Sequence, residues 1–131
     1  MTSNDPLTER ILNCAFRVSN ELGMGFLEKV YENALAHELG KAGLEVHQQC
    51  GIEVHYDGIV VGSYAADLLV EGRILVELKA CASLQDVHVA QCLNYLKATS
   101  LPTCLLLNFG RPRIEIRRLM KGDQVLIEDP G

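Results

Sequence analysis

A chain of 131 residues is long enough for one domain built around a single sizeable core. Hydrophobic residues make up 48% of it and charged residues 22%, as in soluble globular proteins, while aromatics reach only 5% and Trp is absent, so an aliphatic core is expected. A net charge of −5 argues against coating nucleic acid by charge alone, and no apolar run is long enough to cross a bilayer.

The first segment, "SNDPLTERILNCAFRVSNELG", carries helix punctuation at both ends: Asp5 as cap, Pro6 in the first turn, Gly23 as stop. Ile11, Ala15, Val18 and Leu22 recur at helical spacing and predict one buried face. After a Gly-Met-Gly break, "FLEKVYENALAHELGKAG" predicts a second helix ending near Gly40 or Gly43, with Leu27, Val30, Ala34 and Leu35 as its apolar stripe. From Leu44 the period shifts towards two. "LEVHQQ" and "GIEVHY" read as strands, followed by the hairpin signal Asp57-Gly58.

"IVVGSYAADLLV" and "ILVELKA" continue the sheet across a loop at Glu71-Gly72-Arg73. Ser83 and Asp86 have capping-box spacing before the helix "DVHVAQCLNYLKAT". Beyond Pro102, "TCLLLNFG" reads as a buried central strand and "RIEIRRLM" as an alternating one; "KGDQVLIEDPG" is either a short strand or a fraying tail. This order predicts a single α/β (α+β) domain over residues 1–131, with its core at about 7–120 and a mixed central sheet flanked by helices.

Cys14, Cys50, Cys81, Cys92 and Cys104 are odd in number and lack CxxC spacing, and no signal-peptide pattern opens the chain; a reducing cytoplasm is the expected compartment. The histidines fall at no zinc-like spacing relative to these thiols. Arg111, Arg113, Arg117 and Arg118 form either a local basic strip or a charged, protected strand edge.

The segment "ILVELKA" (Ile74–Ala80) places a carboxylate and an ammonium in an otherwise aliphatic strand. Strand side chains alternate, so Glu77 and Lys79 share a face. With 71–73 as the loop, Val70 opposes Ile74, Leu68 opposes Val76, and Asp67 opposes Glu77. Two facing carboxylates repel unless something positive lies between them. Lys79 alone offsets this in part, and a surface cluster of two acids and a lysine is the plain alternative to a divalent-cation site. Glu28 and Tyr31 share a face at the start of the second helix, where a first-turn acid also suits the helix dipole. His88, Gln91 and Tyr95 share another helical face with Asn94 beside it, which is either functional or simply solvated.

Together these segments resemble the GxxExxY proteins of the PD-(D/E)XK (restriction-endonuclease-like) nuclease superfamily. "GFLEKVY" supplies Gly25, Glu28 and Tyr31, "ADLLV" with "VELKA" supplies Asp67, Glu77 and Lys79, and "VHVAQCLNYLKAT" and "LLLNFG" fit further segments, so the resemblance runs from about Leu7 to Met120. It implies a restriction-endonuclease-like fold and Mg²⁺-dependent phosphodiester hydrolysis, with Mn²⁺ as a substitute and DNA as the partner. Asp67, Glu77, the backbone carbonyl of Leu78 and Glu28 would hold the metal, Lys79 would orient the attacking water, and Gln91 would position water or phosphate. Tyr31, His88, Asn94 and Tyr95 would support that site. Two positions depart from the pattern: Ala65 stands where similar sequences often carry Arg, and Val89 where Glu is frequent.

The competing expectation is a catalytically silent protein of the same fold, serving as an interaction module or homo-oligomer (a dimer or larger assembly) with no membrane contact. The strand near Ile114 and Ile116, or the first helix, would pair its subunits.

Overall fold

The computed structural model describes residues 5–122 and the backbone of 124–128; parts of the predicted N-terminal lead and C-terminal tail lie outside the described residues. Three helices, α1 (Pro6–Leu22), α2 (Glu28–Lys41) and α3 (Asp86–Thr99), pack on a six-stranded sheet. Its strands are β1 (Val46–Tyr56), β2 (Ile59–Val70), β3 (Ile74–Lys79), β4 (Thr103–Asn108), β5 (Glu115–Met120) and β6 (Gln124–Glu128), adjacent in chain order. All neighbours are antiparallel except β3 and β4, which run parallel because α3 carries the chain across. The expected mixed α+β architecture is the one observed.

Strand alternation divides the core in two. Ile74, Val76, Leu78, Leu105 and Leu107 pack with the α1 and α2 residues Ile11, Ala15, Leu35 and Leu39. Leu75, Cys104 and Leu106 pack with Cys92, Tyr95 and Leu96 of α3. Every residue of β4 is buried, as its unbroken apolar run implies.

The turns follow their residues. Asp57 and Gly58 adopt φ of 53° and 79°, as a two-residue hairpin turn requires. Glu71 and Gly72 also take positive φ, and the register Val70↔Ile74, Leu68↔Val76 is the one expected from a three-residue loop. Asp5 caps α1 by accepting from Leu7 N–H at 3.1 Å.

Three local expectations are corrected. The buried face of α2 is Tyr31, Glu32, Leu35 and Leu39, while Leu27 and Val30 are exposed; the helix starts at Glu28 and turns its first residues outward. Gln85, not Ser83, caps α3, with His88 Nδ1 accepting from Gln85 N–H at 3.0 Å. Ile114 and Ile116 are buried, and β5 lies between β4 and β6, so it offers no free edge. The apolar face of α1 is likewise committed to the core.

Candidate active site at the end of β2 and β3

The β1–β2 ladder pairs Gln48 with Leu68 and Cys50 with Ala66, stepping over Gln49 and Asp67. Gln49 takes a left-handed φ of 56° at this step. Its side chain and that of Gln48 donate to Glu32 at 3.0 and 2.8 Å, and Lys29 adds an ion pair at 3.1 Å. Glu32 is 4% exposed, a buried acid that the sequence pattern did not single out. Three donor groups explain how it is tolerated there.

Across from this irregularity, side chains extend the β2–β3 ladder. Asp67 N–H donates to Glu77 Oε2 at 2.7 Å, and Leu78 N–H donates to Asp67 Oδ2 at 2.8 Å. Each carboxylate thus binds the other's strand through one oxygen and is fixed in orientation. The second oxygens, Asp67 Oδ1 and Glu77 Oε1, enter none of the hydrogen bonds found among the described residues. The N–H and C=O of one strand residue point to the same side, so the Leu78 carbonyl also projects towards β2 and Asp67.

The electrostatics follow from this packing. Burial first, then the Asp67 charge, pushes Glu77 up to about 8, against the lowering effect of the Asp67 N–H and Lys79. Burial also raises Asp67, with Glu32 and Glu28 adding to the rise while the Leu78 N–H and Lys79 oppose it. Lys79, half-buried, acts on both acids, as expected from its sharing a strand face with Glu77. Tyr95, 5% exposed, is pushed up to about 12 by burial and next by Glu77.

Other expected residues take different places. Glu28 is exposed at the start of α2 and reaches the pair only through its field. Among the described residues no three His, Cys, Asp and Glu side chains converge, so the acids form a pair with Glu28 outlying. Tyr31 is fully buried, stacked on Phe109 at 4.9 Å; its hydroxyl donates to Gly23 carbonyl at 2.6 Å and accepts from Phe26 N–H at 3.2 Å. It ties down the loop between α1 and α2. Gln91, Asn94 and Tyr95 line a cavity beside the acids, whereas His88 serves the α3 cap. Val89 packs against the α3-side core. Of the arginines, Arg118 is buried, Arg117 pairs with Glu115 at 3.3 Å, and Arg111 donates to Ala82 carbonyl.

Behind Lys79 the chain is pinned by Asn108, fully buried. Its Nδ2 donates to Cys81 carbonyl and Glu115 Oε1, both at 3.0 Å, and its Oδ1 accepts from Cys81 N–H at 3.0 Å and Gly110 N–H at 2.9 Å. Burial alone would raise Glu115, yet hydrogen bonds from Asn108 and Leu84 N–H, with Arg117 and Arg111, hold it below the usual range. The sequence did not single out this Asn within "LLLNFG", because most of its partners lie far along the chain.

The two carboxylate oxygens outside these hydrogen bonds and the backbone carbonyl of Leu78 are hard oxygen donors of the kind Mg²⁺ takes. The repulsion that raises Glu77 is of the kind a divalent cation would relieve. The residues present therefore fit a metal.

Residues 5–119 match the family described as the PD-(D/E)XK nuclease superfamily. The chain belongs to that superfamily, and its fold is consistent with a restriction-endonuclease-like domain. Nucleases of this superfamily generally use divalent metals. No curated protein and no solved structure matches the chain. No helix among the described residues is long and apolar enough to cross a membrane.

Proposed function

We propose that this protein is a Mg²⁺-dependent phosphodiester hydrolase of the GxxExxY type acting on DNA, with Mn²⁺ able to replace Mg²⁺. The observation that carries the reading is the reciprocal anchoring of Asp67 and Glu77, which leaves one oxygen of each outside the hydrogen bonds found among the described residues. Asp67, Glu77 and the Leu78 carbonyl would hold the ion, and Glu28 would add its charge from the start of α2. When bound, the ion would polarise a phosphoryl oxygen and lower the pKa of a water molecule.

Lys79, whose charge acts on both acids, would orient the attacking water and offset charge developing on the phosphate. Gln91, half-buried on α3, positions water or a phosphate oxygen through its amide. The free thiols suit a reducing cytoplasm. Incubation with single-stranded, duplex and branched DNA in Mg²⁺ or Mn²⁺ tests the reading. Wild type is expected to cleave at least one form, and Glu77→Ala or Lys79→Ala to abolish cleavage; resistance of every form to wild type overturns it.

A second reading, a catalytically silent self-assembling module, draws on the tip of the β1–β2 hairpin. Tyr56, Ile59, Val60 and Val61 there are 73%, 62%, 49% and 55% exposed, an apolar surface of the kind that pairs subunits. Light scattering across a concentration series decides it: assembly lost in Ile59→Lys supports it, and a monomer at high concentration counts against it.

A further inference from the structure

We propose that the cavity between α3 and the β1–β2 hairpin receives one unpaired nucleobase, stacked on Tyr64, from a single-stranded segment flanking the scissile phosphate. The inference rests on the phosphodiesterase reading and narrows its substrate class. The cavity measures about 640 Å³, within the range of about 300–1,000 Å³ usual for ligand pockets. It lies beside the acids: Tyr95 in its wall feels the charges of Glu77 and Asp67, and Tyr64 precedes Asp67 on the same strand.

The lining has the chemistry of base recognition. Tyr64 and Tyr95 place their ring centroids 5.8 Å apart at 51°. Tyr95 is buried and fixed, and it supports Tyr64, which is 51% exposed and keeps ring surface free for a planar partner. Gln91 and Asn94 add side-chain amides, each both donor and acceptor, as the edges of unstacked bases require. Lys97 contributes a cation to the same wall, valuable against a phosphate backbone in a chain of net charge −5. A paired base inside a duplex cannot enter a space walled by a helix and two strands, so the base must leave its stack. A purely apolar side chain from a second copy fits less well, because it would leave the amides and Lys97 without partners.

The test is binding of labelled oligonucleotides with non-hydrolysable phosphorothioate linkages, in Mn²⁺, followed by anisotropy. Single strands are expected to bind more tightly than the matching duplex. Tyr64→Leu should weaken single-strand binding by about 5- to 150-fold, the range of one stacked base, while Tyr64→Phe keeps it. Moving an abasic site along the strand should reveal one sensitive position, and that sensitivity should vanish in Tyr64→Leu. Asn94→Ala, at an exposed side chain, should change the preferred base at that position.

A flat abasic profile, the same profile in Tyr64→Leu, or equal affinity for duplex overturns the proposal. Mn²⁺ binding without nucleic acid is measured in parallel. Tyr64→Leu should leave it unchanged, and its loss would make Tyr64 a structural residue and also overturn the proposal. Absence of ion binding in wild type even with the oligonucleotide present instead strikes the phosphodiesterase reading, so the two failures are separable.

Discussion

Glu77 ordinarily loses its proton near 4.5, and in the folded protein it does so near 8. Between those values the folded state holds a proton that the unfolded chain has released. Unfolding free energy should therefore be fullest below pH 4.5 and fall as pH rises towards 8, with raised Asp67 acting in the same direction. Urea titrations in chelator at pH 5, 6.5 and 8 are expected to show this decline in wild type and a flatter profile in Glu77→Gln; equal slopes would contradict the assigned cause. Gly110 has a different constraint, since a Cβ there would stand 2.3 Å from the Cys81 carbonyl oxygen and 2.4 Å from its nitrogen. Those are backbone atoms that cannot swing away. Gly110→Ala should cost about 1–3 kcal/mol, the usual range for overpacking, read from the shift in urea midpoint.

The β2–β3 hairpin was legible because period-two alternation and a three-residue loop leave only one register that buries Leu68, Val70, Ile74 and Val76 together. That register also brought Asp67 to Glu77. The burial of α2 was not legible, because its inward face includes Glu32, whose partners Gln48 and Gln49 come from a strand sixteen or more residues away. Hydrophobic spacing reads such a residue as outward-facing. The cap of α3 was missed for a similar reason: His88 supplies an acceptor nitrogen where the usual box uses a carboxylate. Tyr31, a motif residue, holds the α1–α2 loop through its hydroxyl. Tyr31→Phe removes two hydrogen bonds to the α1–α2 loop and should cost about 0.5–1.5 kcal/mol for each. DNA cleavage per folded molecule should stay within a few-fold of wild type, and a complete loss of turnover with intact folding would place Tyr31 in the reaction.

The strands follow one another in chain order, and what the sequence left open was whether the last segment adds a strand. β5 was expected at an edge through its alternation, yet β6 covers it, and among the described residues the outer strands are β1 and β6. The departure at Ala65, where an Arg is frequent in similar sequences, falls on exposed backbone of β2, so the acids keep their positions without it. What the whole molecule assembles is one end of a parallel–antiparallel junction where β2 and β3 present two fixed carboxylates, with α3 and the hairpin forming a wall beside them. The account stands on that end binding a divalent cation. Calorimetric titration of Mn²⁺ with a non-hydrolysable oligonucleotide present, at pH 7 in buffers of differing ionisation enthalpy, measures it most directly. Binding by wild type with release of a proton from Glu77, and its loss in Asp67→Asn, is the predicted result. Equal Mn²⁺ binding by wild type and Asp67→Asn, or binding by neither, would contradict the account.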